Sequence, residues 1–303
     1  MAQIRNVHTR LIAAPAETVG AFLERLSAAD DPLWPTPVWP PMLFDRPLGV
    51  GAEGGHGFIR YRVSAHEPGR RVRFTFAPPE NGFHELTVEP VGPDRCRVRH
   101  TLHQTRNVAH WLIWAAVIGP LHDVVVEEVL DNVERLATGE PERPVRWSPR
   151  VRALHWLLHR FMEAGPTATS LPGDARLVRT AFARPDYTDA WRMPLRPGMP
   201  REPEAWGAAL SGRVLPVLAR TDDEVLLGKD ARHLDYRASL HVDEGKRVTF
   251  STVVKTHSAW GRAYFAVVRR VHPVAARAVL RRTHRKLMLS APNAAARAMS
   301  RTP

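Results

Sequence analysis

The chain has 303 residues, which exceeds the ~100 to 150 residues of a typical domain and therefore predicts two domains. Its 44% hydrophobic content supplies apolar surface for a core in each, and its single cysteine, Cys96, excludes a disulfide within one chain. The net charge of +12 is uneven, because no Asp or Glu follows Glu244 whereas thirteen Lys and Arg residues do, from Lys246 to Arg301.

The N-terminus and the apolar stretches indicate a cytoplasmic protein. The first residues, MAQIRNVHTRLIAAPAE, lack the apolar segment of an export signal. The longest strongly apolar stretch, Trp111 to Leu121, is about half the ~20 residues that a membrane-spanning helix needs, and Gly119 and Pro120 interrupt its end. We therefore expect no segment that crosses a bilayer.

The first elements are predicted to be a strand, a helix and a long loop. Residues 7 to 14 alternate between apolar and polar side chains, and Pro15 then suits the start of a helix over residues 16 to 26. Residues 30 to 55 contain WPTPVWPPM and several glycines, so they form a long connection with aromatic anchors. Long ordered loops of this kind often border a binding site.

A meander of strands and one long helix are predicted to follow. Residues 56 to 103 hold short alternating runs separated by turn sequences such as EPGRR, PENG and GPDR, which favours an antiparallel meander. Residues 107 to 138 read as one helix with a kink or break at Gly119 and Pro120. Its second half carries an apolar stripe that we expect to pack on the sheet.

Residues 5 to 137 resemble the START-like SRPBCC superfamily, which contains polyketide cyclases and lipid-transfer domains. The resemblance rests on RLIAAPAETVGAFLERL, on GHGFIRYRVSAHEPGRRVRF and on the terminal VEEVLDNVERL. It implies an α+β helix-grip fold, in which a curved antiparallel sheet wraps a long C-terminal helix and encloses a pocket for a hydrophobic molecule. It implies no particular chemistry, because one fold hosts many functions.

A linker and a second domain are predicted after this one. The domain boundaries are expected at 1–138, 139–174 and 175–303, since residues 139 to 174 are rich in Pro and Gly. Residues 149 to 164 inside the linker read as a helix that docks between the domains. Residues 175 to 290 resemble the bacterial domain of unknown function 2867 family, through YTDAWRMPLRPG, DDEVLLGKDARHLDYRASLHV and VVKTHSAWGRAYFAVVRRVHPVAARAVLRR.

The second domain is predicted to be α+β, with antiparallel strands and a terminal helix. Strands are expected at 214–219, 225–228, 234–242 and 248–256, followed by a helix over 261–289 with a break at Pro273. Strands followed by a long terminal helix repeat the grip-like order. A distant structural repeat of the first domain is therefore one of the open alternatives.

Period-two alternation selects candidate pocket residues in the first domain. His100 shares the apolar face of its strand with Cys96, Val98 and Leu102, so it is either a pocket histidine or an ordinary core histidine. Aromatic side chains on the same faces, in the long loop and on the helix could wall a pocket or belong to the core. The aromatic candidates are Trp34, Trp39, Tyr61, Phe74, Phe76, Trp111 and Trp114.

In the second domain, alternation places His233, Asp235, Arg237 and His241 on an outward polar face. Asp235 and Arg237 are expected to pair with each other along the strand. This face is either an ordinary surface or a site for a polar ligand, and the surface interpretation is the simpler one.

Motifs of nucleotide and hydrolase chemistry are absent from the sequence. His155 and His159, at i and i+4 in HWLLH, could face one metal ion, but no third ligand stands at a suitable spacing. The sequence therefore predicts no metal site and no cofactor. Cys96 is expected to be a small buried hydrophobic residue.

The basic block after Glu244 is either a solvated face or a surface for anionic partners. Nucleic acid is the weaker partner, because no recognised binding motif accompanies the charge. Residues 262–287 combine an i+4 row of arginines with an apolar row, so the helix could lie on an anionic membrane.

Three functions follow as hypotheses. The first is binding or transfer of a hydrophobic small molecule, such as a lipid or a polyketide-like metabolite, which needs only a cavity. The second is a cyclase, aromatase or dehydratase in which His100, Tyr61 or an inward arginine moves protons. The third is a peripheral membrane or interaction protein that uses the basic C-terminal helix. The sequence favours the first, because it offers candidate groups for catalysis without a recognisable constellation, and it leaves the oligomeric state open.

Overall fold

The computed structural model describes residues 1–162, 164–211, 215–244, 246–292 and 299. The chain forms two compact units, Met1–Met162 and Glu163–Ala291. Both are α+β, with an antiparallel sheet and a long helix near the C-terminal end of each. The fold class predicted from the sequence is confirmed at this level.

The first unit holds seven strands and four α-helices among its described residues. Its sheet has the order β1-β7-β6-β5-β4-β3-β2, and each neighbouring pair is antiparallel. The first strand of the chain is thus an edge strand of the sheet and pairs with the last strand. The elements are β1 (Ala2–Ile12), α1 (Ala16–Leu23), β2 (Met42–Phe44), β3 (Glu53–His56), β4 (Ile59–Glu67), β5 (Arg71–Phe76), β6 (Phe83–Gly92), β7 (Arg95–Arg106), α2 (Val108–Ile113), a π-helical turn (Trp114–Ile118), α3 (Gly119–Thr138) and α4 (Pro149–Met162).

The predicted alternation sets which side chains of the sheet face the core. Along β7, Cys96, Val98, His100 and Leu102 are buried, whereas the intervening residues are less so. Helix α1 ends three residues before the predicted Leu26 and buries Val19 and Leu23. The helix comes very close to the turn between β4 and β5, because a Cβ atom at Gly20 would lie 2.3 Å from the carbonyl oxygen of Gly69.

The long loop after α1 is held by an aspartate and an asparagine. Asp31 accepts hydrogen bonds from the backbone N–H groups of Leu33 and Trp34 through Oδ1 and from that of Ser27 through Oδ2. The buried Asn132 side chain of α3 donates to the carbonyl of Leu33 at 2.9 Å. The loop is therefore fixed on the helix and can present its tryptophans to the interior.

The predicted kink at Gly119 and Pro120 takes the form of a π-helical turn just before them. Pro120 has no N–H group to donate to the carbonyl of Ala116, four residues earlier, so an ordinary α-helix would leave that carbonyl without its partner. Arg150 of α4 supplies the missing donor, with its Nη2 atom 2.7 Å from the Ala116 oxygen and 3.3 Å from that of Ala115.

The kink does not shorten the helix. Val108–Thr138 is continuous over 31 residues and contains an 18-residue window with a mean hydropathy of 1.4, of which 22% is buried. By length and composition alone it could cross a membrane, which corrects the expectation that no segment is long enough. Helix α3 packs on the sheet through Val125, Val129 and Val133, whereas Trp111, Leu112 and Ile113 of α2 are exposed.

Helix α4 belongs to the first unit. Its Val151 is buried in the core of that unit, and Leu154 and Leu158 pack against the same core. The sequence predicted that this helix would dock between two domains. In the structure, its apolar face packs on the core of the first unit.

The second unit has a six-stranded antiparallel sheet in the order β10-β11-β12-β13-β9-β8. Strand β8 lies within the predicted linker, so this unit begins earlier than residue 175. The sequence did not anticipate β8, β9, α5 or α6. The elements are β8 (Thr167–Thr169), α5 (Arg176–Thr180), β9 (Tyr187–Pro194), α6 (Pro203–Ser211), β10 (Val217–Arg220), β11 (Glu224–Asp230), β12 (Leu234–Asp243), β13 (Arg247–Thr256) and α7 (Ala259–Ser290).

Both faces of this second sheet are covered. Trp206 of α6 and Leu280 of α7 pack with Leu240 in one core, while Val178 of α5 packs with Leu226 and Val253 in another. His241 was expected to point outward, but it is only 1% exposed, because the sheet has no open face at that point. Helix α7 also continues through Pro273, where a break was predicted.

Candidate functional site

The candidate site lies in the first unit, on the buried side of strands β4 to β7. Tyr61 is its centre, with ring centroids of Phe74, Phe76 and His84 at 5.9, 5.4 and 4.4 Å. Its hydroxyl shares a hydrogen bond of 2.7 Å with Nε2 of His56. Because alternate residues of neighbouring strands face the same side, these rings form one aromatic cluster.

Histidines extend this cluster in a line toward α3. The Nε2 atom of His100 lies 3.4 Å from Nδ1 of His84. The rings of His100 and His122 are 5.1 Å apart, and those of His122 and His8 are 6.3 Å apart. Five imidazoles and one phenol thus run from β3 past the first turn of α3 to β1: His56, Tyr61, His84, His100, His122 and His8.

Three ring nitrogens in this line are buried without a hydrogen-bond partner among the described residues. They are Nε2 of His84, Nδ1 of His100 and Nδ1 of His122. Burial, and then the charges of neighbouring histidines, hold the pKa of each of these three rings well below its ordinary value. Neutral imidazole offers one donor and one acceptor, so these atoms can bind polar groups of a ligand.

The line ends at a pair of carboxylates on α3. His8 donates from Nδ1 to Glu127 at 2.6 Å, and its Nε2 lies 3.2 Å from Asp123. Burial disfavours the charged ring, but the hydrogen bonds and charges of Asp123 and Glu127 outweigh it and raise the pKa of His8 to about 9. The end of the line is therefore charged, while the middle is neutral.

Arg10, on the same face of β1, holds the next turns of α3. Its guanidinium pairs with Asp131, with Glu127 at 2.6 Å and with Glu134 at 3.1 Å. The Arg10 side chain is 16% exposed, and those of Asp131 and Glu134 are 7% and 12% exposed. Strand and helix are thus joined by a nearly buried ion-pair network, which positions His8 beside α3.

A second polar group, Glu128, lies among tryptophans. Its two carboxylate oxygens accept from the indole N–H groups of Trp39 at 2.6 Å and Trp147 at 2.8 Å. His155 of α4 packs edge-on against both indole rings. Burial is the main reason that the pKa of Glu128 rises to about 7, against the opposing indole bonds. The sequence showed this glutamate only as a polar neighbour of the apolar stripe.

The structure buries most of the residues that the sequence selected. Trp34, Trp39, Tyr61, Phe74, Phe76 and His100 are each less than 10% exposed. Trp114 packs on His122 with ring centroids 5.3 Å apart. Trp111 is the exception, because 40% of it is exposed on α2, so it does not enclose the interior as expected. The sequence missed His8, His56, His84 and His122, although the alternation of β6 could have marked His84.

A small apolar cavity lies beside α1. Its volume is about 10 Å³, and its lining consists of Val19, Leu23, Leu33, Leu86, Val88, Val98, Val129 and Val133. Such a cavity holds about one water molecule, far less than the ~300 to 1,000 Å³ of most ligand pockets. A ligand could use it only after the side chains around it had moved.

The predicted pair of Asp235 and Arg237 in the second unit does not form. Arg237 pairs with Asp230 at 2.6 Å and lies over the ring of Phe182, whereas Asp235 pairs with His257 at 2.8 Å. The strand pairing explains the change, since Asp235 and Asp230 are direct partners across β11 and β12. A ligand role for Asp235 and Arg237 stays a prediction.

A different polar group lies between β9 and α7. Asp189 accepts from the Tyr187 hydroxyl and the Trp191 indole, both at 3.1 Å, and lies 3.4 Å from Nε2 of His272. Burial and the charge of Asp189 raise the pKa of Tyr187 to about 12. Both hydrogen bonds go to Oδ2, whereas Oδ1 is buried without a hydrogen-bond partner among the described residues.

Comparison with known proteins gives one family match. Residues 200–279 match the model of DUF2867, a protein family of unknown function. The match covers α6, β10 to β13 and most of α7. No curated protein matches the chain.

Several solved structures resemble part of the chain. CalU16 from Micromonospora echinospora is 16% identical, with 52% of this chain and 90% of that one covered and a TM-score of 0.34. A protein from Thermobifida fusca is 23% identical, covering 49% and 100%, with a TM-score of 0.37. Norcoclaurine synthase from Thalictrum flavum, solved with dopamine and hydroxybenzaldehyde, is 13% identical, covering 47% and 90%, with a TM-score of 0.36. Likeness at this level supports no functional conclusion.

Proposed function

We propose that the first unit binds a largely apolar small molecule that carries polar groups, between its sheet and α3. The observation that carries this proposal is the pair of unpartnered nitrogens on His84 and His100, within an aromatic cluster. A buried polar atom without a partner costs ~1 to 3 kcal/mol. A ligand that bonds to these nitrogens would remove that cost.

The surroundings of these nitrogens define the kind of ligand. Phe74 and Phe76 pack on His84, and Trp114 packs on His122, so most of the contact surface offered to a ligand is aromatic. Because the imidazoles are neutral, they favour uncharged hydroxyl or carbonyl groups over a carboxylate. A lipid or polyketide-like metabolite with oxygen substituents fits this description.

Native mass spectrometry of the purified protein, followed by denaturing extraction, tests the proposal. We expect a retained small molecule on the wild type and, when that compound is titrated onto the stripped proteins, an affinity at least about tenfold weaker for His100→Leu, because ~1.4 kcal/mol of lost hydrogen bonding corresponds to tenfold in affinity. His103→Leu is the matched control, since His103 points to the opposite face of β7 and is not buried. Equal retention by His100→Leu and His103→Leu would contradict the proposal.

Proton transfer is the second candidate function, and the continuous line of titratable groups favours it. His84, His100 and the Tyr61–His56 pair are the groups that would move the proton. A bound substrate would have to offset the burial that lowers the pKa of these histidines and raises that of Tyr61. A cyclase or dehydratase acting on a polyketide-like substrate would use such groups. If the retained compound is incubated with the protein in D₂O, catalysis predicts deuterium at carbon positions and simple binding predicts none.

Membrane association through α7 is a third proposal, favoured by an exposed apolar stripe. Trp260, Tyr264, Val267, Val271 and Val274 follow helical spacing and are 46% to 70% exposed. Exposed Arg269 and Arg270 lie between these valines. Helix α7 therefore buries one apolar face in its own unit and presents a second one with positive charge, as interfacial helices do.

Vesicle cosedimentation tests the role of α7. We expect binding to phosphatidylcholine vesicles that contain phosphatidylserine, and at least about tenfold weaker binding for Arg269→Glu with Arg270→Glu, because each basic residue contributes ~1 kcal/mol. Arg176→Glu with Arg179→Glu is the charge-matched control, since both residues are exposed on α5, which packs on the other face of the same sheet. Equal losses for both double variants, or binding that is insensitive to salt, would contradict a specific role of the helix.

We also propose that the second unit is a distant structural repeat of the first. In the first sheet β1 pairs with the last strand, β7, and in the second sheet β9 pairs with the last strand, β13. From that last strand, each sheet continues through the preceding strands of the chain in reverse order: β6 to β2 in the first and β12 to β10 in the second. A long helix follows the last strand in each unit.

The predicted cytoplasmic location likewise stays a proposal.

A further inference from the structure

Three potential metal ligands meet where the histidine line reaches α3. His8 comes from β1, and His122 and Asp123 come from the first turn of α3. One donor atom from each residue lies within 4.8 Å of the other two. More than a hundred residues separate His8 from the helix, so no local motif announces the group.

The distances suit a first-row transition metal ion. Nε2 of His8 and Oδ1 of Asp123 are 3.2 Å apart. Two ligand atoms of a tetrahedral zinc ion lie about 3.3 Å apart, because the bonds are ~2.0 to 2.1 Å long. A small inward shift of His122 would bring the third ligand into the same sphere.

Glu127 already orients His8 in the manner of an outer-shell carboxylate. It accepts the Nδ1–H of His8 at 2.6 Å, which directs Nε2 toward Asp123. Histidine ligands of metals commonly donate their other ring N–H to a carboxylate in this way. Asn6 similarly donates to Oδ1 of Asp123 at 2.8 Å.

The state of His122 is the second, independent observation. Its Nδ1 atom is buried without a hydrogen-bond partner among the described residues. The ion pairs with Asp123 and Glu127 explain the position of His8, but they give Nδ1 of His122 no hydrogen-bond partner. A metal ion would occupy the position of the proton between His8 and Asp123 and would use His122 as well.

We propose that His8, His122 and Asp123 bind one divalent transition metal ion of the zinc type, with Glu127 orienting His8. The Asp123 side chain is 48% exposed, so the ion can enter from solvent. Three protein ligands leave one coordination position open, as in catalytic rather than structural zinc sites. The ring of His100 lies 5.1 Å from that of His122. The proposal does not depend on a ligand in the aromatic cluster.

Titration of chelator-treated full-length protein with Co²⁺, followed by its visible absorption, tests the site. We expect one equivalent with the intense bands of tetrahedral cobalt, displaced by Zn²⁺. His122→Ala and Asp123→Asn should each weaken binding at least about 100-fold, and Glu127→Gln about 10- to 100-fold as an outer-shell change. His110→Ala, an exposed histidine of α2, should leave the titration unchanged.

Two results would overturn the proposal. One is the absence of a one-equivalent binding phase for the wild type. The other is a folded His122→Ala or Asp123→Asn protein, judged by circular dichroism and thermal unfolding, that binds as tightly as the wild type or as the His110→Ala control. Asp123→Asn keeps an oxygen acceptor for Asn6, so it separates loss of the metal from loss of the fold.

Discussion

Arg10→Met is expected to destabilise the first unit by about 3 kcal/mol, because it leaves buried carboxylates without their cation. Asp131 and Glu134 are nearly buried, and both depend on the Arg10 guanidinium. Urea unfolding followed by tryptophan fluorescence measures the change. Adding Asp131→Asn to Arg10→Met should recover part of the loss, since it removes one of the unpaired charges.

Arg71→Met provides the control for this network. Arg71 also pairs with two glutamates, but its side chain is 31% exposed and that of Glu67 is 59% exposed. Glu85 is 14% exposed and keeps Arg73 as a second cation at 2.8 Å. Solvent screens the first pair and Arg73 still neutralises Glu85, so the expected loss is about 1 kcal/mol or less. If Arg10→Met cost no more than Arg71→Met, the network would not be what joins β1 to α3.

Glu128→Gln is expected to change how stability depends on pH. The carboxyl group of Glu128 has a pKa of about 7 in the folded protein and 4.5 as its ordinary value. Between these values the folded state keeps a proton that the unfolded chain has lost, so its contribution to stability is complete below pH 4.5 and is lost as the pH rises through 7. The loss amounts to at most about 3 kcal/mol, at ~1.4 kcal/mol per pKa unit.

The glutamine variant cannot lose a proton, so its difference from the wild type should change sign. At pH 4.5 it should be about 1 kcal/mol less stable, because its amide nitrogen cannot accept from one of the two indoles. At pH 8 it should be about 2 kcal/mol more stable, because the buried charge is gone. Urea unfolding at each pH gives these values.

The difference between variant and wild type is the quantity to measure. Buried neutral histidines such as His100 act in the opposite direction below pH 6.5, because unfolding lets them take up protons. The histidines contribute equally to the stability of both proteins, so their effect cancels in the difference. Glu17→Gln, on the exposed face of α1, controls for the change of charge. Parallel pH profiles for wild type and Glu128→Gln would show that the buried carboxyl does not titrate in this range.

The sequence predicted the first unit better than the second, and the reason is periodicity. Strict alternation in β7 marked the buried face that holds His100, and an apolar stripe marked α3. In the second sheet both faces are covered, so the alternation of Leu240 and His241 did not separate inside from outside. Short elements such as β8 and α5 offered too few residues for a period to appear.

The candidate site was predicted only in part, because its polar residues are brought together by strand pairing. His8 and His100 are direct partners across β1 and β7, although 92 positions apart in the chain. Glu128 is buried and accepts hydrogen bonds from Trp39 and Trp147, which come from separate loops. Aromatic residues could be selected by their size and alternation, whereas the pairing of polar groups needed the register of the sheet.

The π-helical turn divides the long helix into parts with different local stability. Helix α3 is held by buried valines and by Arg10, whereas α2 has exposed apolar residues and no buried residue of its own. The hydrogen bonds of Arg150 to Ala115 and Ala116 are a contact that α2 and the turn must keep to remain helical beside Pro120. Opening of this segment alone would uncover Trp114 and His122 without disturbing the sheet. Such local opening would give the proposed small molecule a route to the histidines while the sheet stays paired.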